Sequence, residues 1–331
     1  MKNISSAQGF LERRQIPIYL VCMLAGLLVG NWLPDLISAD AILNPALALM
    51  MFATFLQIPL AGLPQTLRHG RFLAAMLLAN FVFIPLLVYL LLPLAPADAT
   101  LRFAIALVLL APCIDYVVVF SHLGKADARL LLAATPVLLL IQIVAVPLLL
   151  HYVFDTGFTN WPDLTPVVHA FLWIVALPLL AAGLVQFLQK RSRLLRRATN
   201  GLALLPVPAT ALVLFIVLVM AVTQASVPAA LAWHAALVYL AYALLAPVAG
   251  WAAARLLSLP GEQKRAIAFS AATRNSLVVL PVAVAIPQAG ALIASVIVIQ
   301  TLVELISELF YIRWIPRLIR KENHQGATSK S

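Results

Sequence analysis

Apolar residues run along this chain in long continuous stretches, each followed by a short polar segment. A bilayer core of about 30 Å is crossed by about 20 residues of helix, and stretches of that length recur from one end of the chain to the other. The connecting segments are too short to form a soluble domain. The pattern predicts ten membrane-spanning helices, near residues 17–34, 41–61, 72–94, 101–121, 130–153, 165–188, 203–222, 231–256, 265–286 and 289–313.

The charged residues support these ten spans and give their orientation. With a cytoplasmic N-terminus, every lysine and arginine except Arg102 and Arg274 falls in a segment predicted to be cytoplasmic. The outer segments carry aspartates such as Asp35 and Asp163. This is the bias of the positive-inside rule. We therefore expect a multi-pass protein of the plasma (inner) membrane, with both termini in the cytoplasm.

The first apolar run could instead belong to a cleaved signal peptide, since Arg13 and Arg14 precede it. At about 18 residues it is longer than the apolar region of such peptides, and no small-residue cleavage site follows it. We expect this span to be retained.

Composition excludes most other classes of protein. Of the 331 residues, 63% are hydrophobic and 10% are charged, whereas a soluble domain has about 25% charged residues. The two cysteines cannot form a disulfide framework. The net charge of +10 then indicates topology and contact with anionic membrane lipids, and no nucleic acid is expected as a partner.

Five spans in each half would give the two halves opposite orientations, as in many secondary transporters. A weak internal match pairs Ala106–Phe120 with Ala266–Leu280. We therefore predict an all-α polytopic membrane protein, with ten transmembrane helices in a 5+5 inverted repeat. The predicted parts are a cytoplasmic segment at 1–16, a first five-helix repeat at 17–160, a second at 161–313 and a cytoplasmic tail at 314–331.

The fourth and ninth spans are interrupted by polar residues and proline. Ala111–Asp115 interrupts the fourth span and Ala272–Ser276 the ninth, and Pro112 and Pro281 each remove an amide donor. Unwound backbone is tolerated at membrane depth only inside protein or along a cavity. Paired interruptions in two halves point to the binding site of a transporter. We predict that helices 4 and 9 are broken at these residues and cross there.

Four ionisable side chains lie inside predicted spans, and each needs a partner or a cavity. Asp115 and Arg274 fall in the two interruptions. They either form a structural ion pair, or Arg274 meets an anionic or polar substrate while Asp115 exchanges a proton. Glu304 lies deep in span ten, where a desolvated carboxyl suits proton coupling, and capping of a neighbouring helix is the alternative. Glu308 is expected to be a solvated charge near the cytoplasmic edge.

Cys113 lies in the interruption of span four, two residues from Asp115. A lone buried cysteine is usually a small apolar residue, and its position at the predicted site makes substrate contact the alternative. The predicted substrate-binding residues are therefore Cys113, Asp115, Arg274 and Asn275, and the predicted proton-coupling residues are Asp115 and Glu304. We expect no metal site and no cofactor.

These features resemble the bile acid/sodium symporter superfamily, and within it the arsenite efflux permeases. The local resemblance lies in Cys113-Ile114 followed by Leu123–Asp127, in Phe269–Asn275 and in Leu302–Glu304. It implies ten spans with helices 4 and 9 broken and crossing near the membrane midplane. It also implies that Cys113 contacts the substrate and that Glu304 is functionally important.

At several positions this chain departs from the family pattern. Leu277 replaces a functional glutamate of the arsenite permeases, and Asp115 replaces a small apolar residue. The sodium-coupled branch has a glutamate near Ser270 and a glutamine at the position of Arg274, both sodium ligands. A guanidinium at that position would repel sodium or stand in for it. The comparison with the family therefore implies that its sodium sites are not used here.

We expect a secondary active transporter that exports arsenite in exchange for protons by alternating access. The alternative is a transporter of small organic anions, such as carboxylates or bile-acid-like solutes, with Arg274 as the anchor. An intramembrane enzyme is disfavoured because no nucleophile with a base is found at membrane depth. A channel is disfavoured because the spans lack a polar stripe. The expected partners are the solute, protons and membrane lipids.

Overall fold

The computed structural model describes residues 2–32, 39–57, 68–95, 97–114, 116–154, 173, 177–189, 195, 199, 201–224, 229–276, 279–280 and 290–319. Over these ranges the chain is almost entirely helical and forms no strand. In chain order the helices are α1 (Lys2–Trp32), α2 (Ala39–Gln57), α3 (Gly70–Leu78), α4 (Ile84–Leu91), α5 (Ala99–Leu110), α6 (Val117–Leu123), α7 (Ala128–Phe154), α8 (Leu177–Leu188), α9 (Pro206–Gln224), α10 (Ala229–Leu256), α11 (Gly261–Ala272) and α12 (Gly290–Leu318).

Each predicted span overlaps one of these helices. Among the described residues, four helical stretches are long and apolar enough to cross a membrane: Gly70–Leu94, Ala128–His151, Leu231–Leu256 and Ser295–Leu318. Shorter apolar helices include Pro17–Trp32, Pro45–Leu56, Ala99–Leu110, Leu177–Leu188 and Pro206–Val219. The chain is a polytopic helical membrane protein, and its division into ten spans and two inverted repeats stays a prediction.

Two helices extend beyond their predicted spans. Helix α1 begins at Lys2, so residues 2–16 of the predicted cytoplasmic segment continue the first span as helix. Helix α12 continues to Leu318, about one and a half turns past the predicted end at 313. Gly9 and Pro17 do not interrupt α1, and Pro316 does not end α12, so the local sequence and apolar periodicity locate these helix ends poorly.

The third span contains a turn of π-helix at Ala79–Phe83, between α3 and α4. Pro85 follows it and has no amide proton, so it cannot make the usual hydrogen bond to the carbonyl four residues earlier. The amide of Ile84 instead donates to the carbonyl of Ala79, five residues back. The π turn contains Asn80, which is fully buried. Such turns are frequent at functional sites.

The interrupted spans form the centre of the core. Every residue from Phe103 to Ala111 and from Arg265 to Ser276 is buried. Apolar residues on all sides of α5 favour this position, because a helix that is hydrophobic all round is buried. Helices α3, α7, α10 and α12 pack around the two segments, so that the backbone interruptions are enclosed in protein.

Candidate functional site

The two interrupted spans meet as short extended segments. Helix α5 ends at Leu110 and α11 at Ala272, and just beyond these ends Pro112 and Arg274 pair as an antiparallel bridge. The amide of Cys113 donates to the carbonyl of Thr273 at 3.2 Å, and the amide of Asn275 donates to that of Ala111 at 2.8 Å. Each segment thereby satisfies the backbone of the other, as unwound chain at membrane depth requires. We call Ala111–Cys113 and Thr273–Asn275 the crossing.

The guanidinium of Arg274 is fully buried at the crossing. Its Nη2 atom donates to Asn80 Oδ1 at 2.8 Å and to the carbonyls of Ser270 at 2.6 Å and Ala271 at 2.7 Å. Its Nη1 atom lies 3.4 Å from the carbonyl of Leu109. No described carboxylate is in salt-bridge contact with this guanidinium. Among the described residues, the short contacts of this guanidinium are with carbonyl and amide oxygens.

Asn80 and Tyr242 complete the surroundings of Arg274. The Nδ2 atom of Asn80 donates to Ser270 Oγ at 3.0 Å and to the carbonyl of Met76 at 2.9 Å, which turns its Oδ1 atom toward the guanidinium. The ring of Tyr242 lies 5.8 Å from the Arg274 Cζ atom, within the range of a cation–π contact. Two side chains and three backbone carbonyls thus surround one positive charge.

Glu304 of α12 caps the chain at the second interruption. Its Oε2 atom accepts the backbone amide of Arg274 at 2.7 Å and Gln300 Nε2 at 2.5 Å. Its Oε1 atom accepts the hydroxyl of Tyr116 at 2.5 Å. Three donors stabilise a carboxylate strongly. This geometry corresponds to the capping alternative, and proton coupling through Glu304 stays a prediction.

The expectation that Glu308 is a solvated edge charge is wrong. The residue is fully buried, and its Oε1 atom lies 2.5 Å from Thr273 Oγ1. The physical reason is the length of α12, which runs ten residues past Glu308 to Leu318. Glu308 therefore lies against α11 within the core, beside the crossing.

The other predicted site residues fall into two groups. Cys113, Arg274 and Asn275 are buried within the crossing, and Glu304 is buried beside it, so the structure brings these four together. Asp115 and Pro281 lie outside the described residues. The roles assigned to all of them in transport stay predictions.

A narrow cavity lies beside the crossing. Its lining includes Tyr239, Tyr242, Gln300, Glu304 and Tyr311, and it has room for about one water molecule. In the described part of the chain, the hydroxyl of Tyr239 and the Oε1 atom of Gln300 are buried without a hydrogen-bond partner. These atoms make the cavity polar at the level of Glu304.

Sequence reasoning missed several residues of this site: Asn80, Tyr116, Tyr242, Thr273 and Gln300. A signal was available for Asn80, the one carboxamide in an otherwise apolar span, and it is followed by Pro85. The tyrosines gave no comparable signal, because a tyrosine in an apolar helix is common at membrane interfaces.

A helical membrane protein whose two interrupted helices cross at a buried polar centre has the fold and site of a membrane transporter. Residues 44–231 match the model of the Sodium Bile acid symporter family. The chain belongs to this family, whose members carry small solutes across membranes and are not enzymes. The matched region includes Cys113 and ends before Arg274. A comparison with curated proteins finds no match to the chain.

Proposed function

We propose that this protein is a secondary active transporter of a small uncharged polar solute and that it works without sodium. The observation that carries the proposal is the immobilised guanidinium of Arg274. Its Nη2 atom has two protons, and three oxygen atoms already accept from it at 2.6–2.8 Å. An anchor for a carboxylate solute needs guanidinium donors that are directed at the solute. Nη2 is saturated, Nη1 lies 3.4 Å from the carbonyl of Leu109, and Nε is buried without a partner among the described residues. Because the whole side chain is buried, this arrangement favours a neutral solute over an organic anion.

The specific candidate is arsenous acid, the uncharged form in which arsenite mainly exists near neutral pH. Such a molecule needs hydrogen-bonding groups and a soft ligand more than it needs a cation. The Cys113 thiol is the soft ligand, and it lies beside the bridge between Pro112 and Arg274. The Asn275 side chain, on the opposite segment of the crossing, is the proposed polar contact.

The surroundings of Arg274 also support independence from sodium. Oxygen atoms of Asn80, Ser270 and Ala271 converge on one point of the buried core, as oxygens do around a metal ion. The guanidinium supplies the positive charge at that point permanently. We propose that protons drive transport instead, through Asp115 or Glu304, and that export proceeds by alternating access across the inner membrane.

The test is arsenite accumulation in everted membrane vesicles, measured with and without an imposed pH gradient. We expect gradient-dependent accumulation that is unchanged when choline replaces sodium. Cys113→Ser should reduce it about tenfold or more, which corresponds to the loss of about 1.4 kcal/mol of contact with the solute. Cys22→Ser is the matched control, because Cys22 is the other cysteine of the chain and lies on α1.

If well-folded wild-type protein accumulates no arsenite, the arsenite proposal is wrong. Small organic anions would then be tested in the same vesicles. Equal losses in both cysteine variants would show that thiol removal acts through stability, and would remove the argument for substrate contact by Cys113.

A second experiment tests the role of Arg274 as a tethered cation. Arg274→Gln removes the charge and leaves the surrounding oxygen atoms, so we expect sodium to raise the melting temperature of this variant relative to choline. Arg265→Gln is the control, since Arg265 is a second buried arginine, on α11, and its Nη1 atom lies 3.4 Å from the carbonyl of Ile319. Sodium should leave the wild type and Arg265→Gln unchanged. A sodium effect on the wild type would contradict sodium independence.

A further inference from the structure

We propose that Glu308 is a proton-binding site of this transporter, which holds a proton while it is packed against Thr273 and loses it when the crossing opens. The proposal rests on the proposed secondary transport and adds a residue that carries the coupling proton. Neither Asp115 nor Glu304 is required for it.

The hydroxyl of Thr273 makes two short contacts with oxygen atoms but has only one proton. The hydroxyl oxygen lies 2.5 Å from Glu308 Oε1 and 2.8 Å from the carbonyl oxygen of Phe269. A threonine hydroxyl has one proton, and a carbonyl oxygen only accepts. If the threonine proton is donated to Phe269, the short contact with Glu308 needs a proton from the carboxyl. A neutral Glu308 satisfies both contacts, whereas an ionised one leaves one of them without a proton.

Glu308 has fewer hydrogen-bond partners than Glu304, which lies one helical turn earlier. Glu304 accepts three hydrogen bonds, so its environment suits an anion. Glu308 has one contact, and its Oε2 atom is buried without a partner among the described residues. Burying an ionised carboxylate with a single donor costs several kcal/mol, which a neutral acid avoids. The environment of Glu308 therefore suits an anion less well than that of Glu304 does.

Among the described residues, no positive charge compensates Glu308. Glu304 and Tyr311 on α12 lie within electrostatic range of it, and an ionised Glu304 disfavours a second anion. The tyrosine hydroxyls donate elsewhere, Tyr242 to the carbonyl of Ala271 and Tyr311 to that of Ala243.

The other described helices around Glu308 also place no compensating positive charge beside it. Just beyond α11, the guanidinium of Arg274 is directed at Asn80. Helix α9 has no ionisable residue. Arg102 of α5 is only half-buried, and His122 of α6 is exposed.

Thr273 connects this proton to the crossing. Its side chain contacts Glu308, and its backbone carbonyl accepts the amide of Cys113 at 3.2 Å. When Glu308 releases its proton to entering water, the carboxylate that remains no longer donates to Thr273 and needs hydration. The crossing must then open at the residue that also holds Cys113, so that deprotonation and movement of the thiol site occur together.

The test is infrared difference spectroscopy of the protein in proteoliposomes while the pH is raised. We expect the C=O stretching band of a protonated carboxylic acid in the wild type, and its loss as the proton dissociates. Glu308→Gln should abolish this band, whereas Glu304→Gln and the control Ser307→Ala should keep it. Thr273→Val should shift the band, because Glu308 loses its hydrogen-bond acceptor.

A wild type without the band, or a band that persists in Glu308→Gln, would overturn the proposal, and so would its loss in Glu304→Gln alone. If Glu308→Gln does not fold, the frequency of the band in Thr273→Val tests the proposal instead, because it depends on the contact between Glu308 and Thr273. A band at the wild-type frequency would then overturn the proposal. The spectra need no solute, so failure of the arsenite proposal leaves this test intact. In vesicles that transport, Glu308→Gln should lose accumulation driven by the pH gradient and keep solute counterflow.

Discussion

Asn80 links the third span to the crossing through a single carboxamide. It donates to Ser270 Oγ and to the carbonyl of Met76, and it accepts from Arg274. Each of its polar atoms is therefore used, and two of the three contacts reach α11 or the residue just beyond it. A lone asparagine in a membrane-spanning helix is costly unless it is paired in this way.

We expect Asn80→Leu to lower the stability of the folded protein by about 1–3 kcal/mol, because it leaves buried polar groups of Arg274 and Ser270 without partners. Thermal unfolding in detergent measures the effect. Asn31→Leu is the control, since Asn31 makes the same type of bond to a carbonyl four residues earlier, at 3.0 Å from Leu27, but is exposed. Equal losses in the two variants would assign the effect to the intrahelical bond alone.

For individual residues, the sequence was sufficient to predict as site residues those with an unusual chemistry for a membrane span. Cys113, Arg274 and Glu304 are unusual at membrane depth, and the structure places them together at the crossing. Glu308 was wrongly predicted to be exposed to solvent, because its burial depends on where α12 ends and on what α12 packs against. Neither property follows from the local pattern, which shows only that Glu304 and Glu308 share a helical face.

The packing of α10 against α11 depends on a glycine. A Cβ atom on Gly250 would lie 2.6 Å from the Cβ of Ala271 and 2.7 Å from the carbonyl oxygen of Ile267. Small residues allow helices in membranes to approach closely. Because the carbonyl of Ala271 accepts from both Arg274 and Tyr242, the spacing of these two helices positions the crossing.

Gly250→Ala should therefore destabilise the protein by about 1–3 kcal/mol, as expected for overpacking of a tight contact. The matched control is Gly9→Ala within α1, where an added Cβ meets nothing within 4 Å. That change should be neutral or stabilising by up to about 1 kcal/mol, since alanine is the better helix former. Unfolding temperatures of the two variants give the comparison. An unchanged unfolding temperature in Gly250→Ala would mean that α10 can move away from α11 at little cost in free energy.

The ends of α5 and α11 could be predicted closely, because proline and a cluster of polar residues interrupt an otherwise apolar run. The observed ends at Leu110 and Ala272 agree with the predicted interruptions at 111–115 and 272–276. The π turn at Ala79–Phe83 was not predicted. Proline in a membrane helix can be accommodated by a kink, a break or a π turn, and the choice depends on neighbours such as Ser270 that the local sequence does not specify.

For the whole molecule, composition and hydropathy were sufficient to predict a polytopic helical membrane protein, and the match to the Sodium Bile acid symporter family confirms the superfamily. Composition and hydropathy do not identify the solute. The family shares a scaffold, whereas the proposed solute rests on a few contacts at the crossing, such as those of Arg274. Those contacts involve Asn80 and backbone carbonyls from distant parts of the chain, so they emerge only in three dimensions.

The reciprocal hydrogen bonds of the crossing also have a consequence for how the protein is made. Ala111 and Cys113 bond to residues about 160 positions further along the chain, which at roughly 5–20 residues per second are synthesised about 8–30 s later. During that interval the first broken helix is already at the membrane without its backbone partners, and water or the insertion machinery has to satisfy it. The crossing is therefore completed only when residues 273–275 have been synthesised, and a ribosome that stalls before them leaves a chain without it.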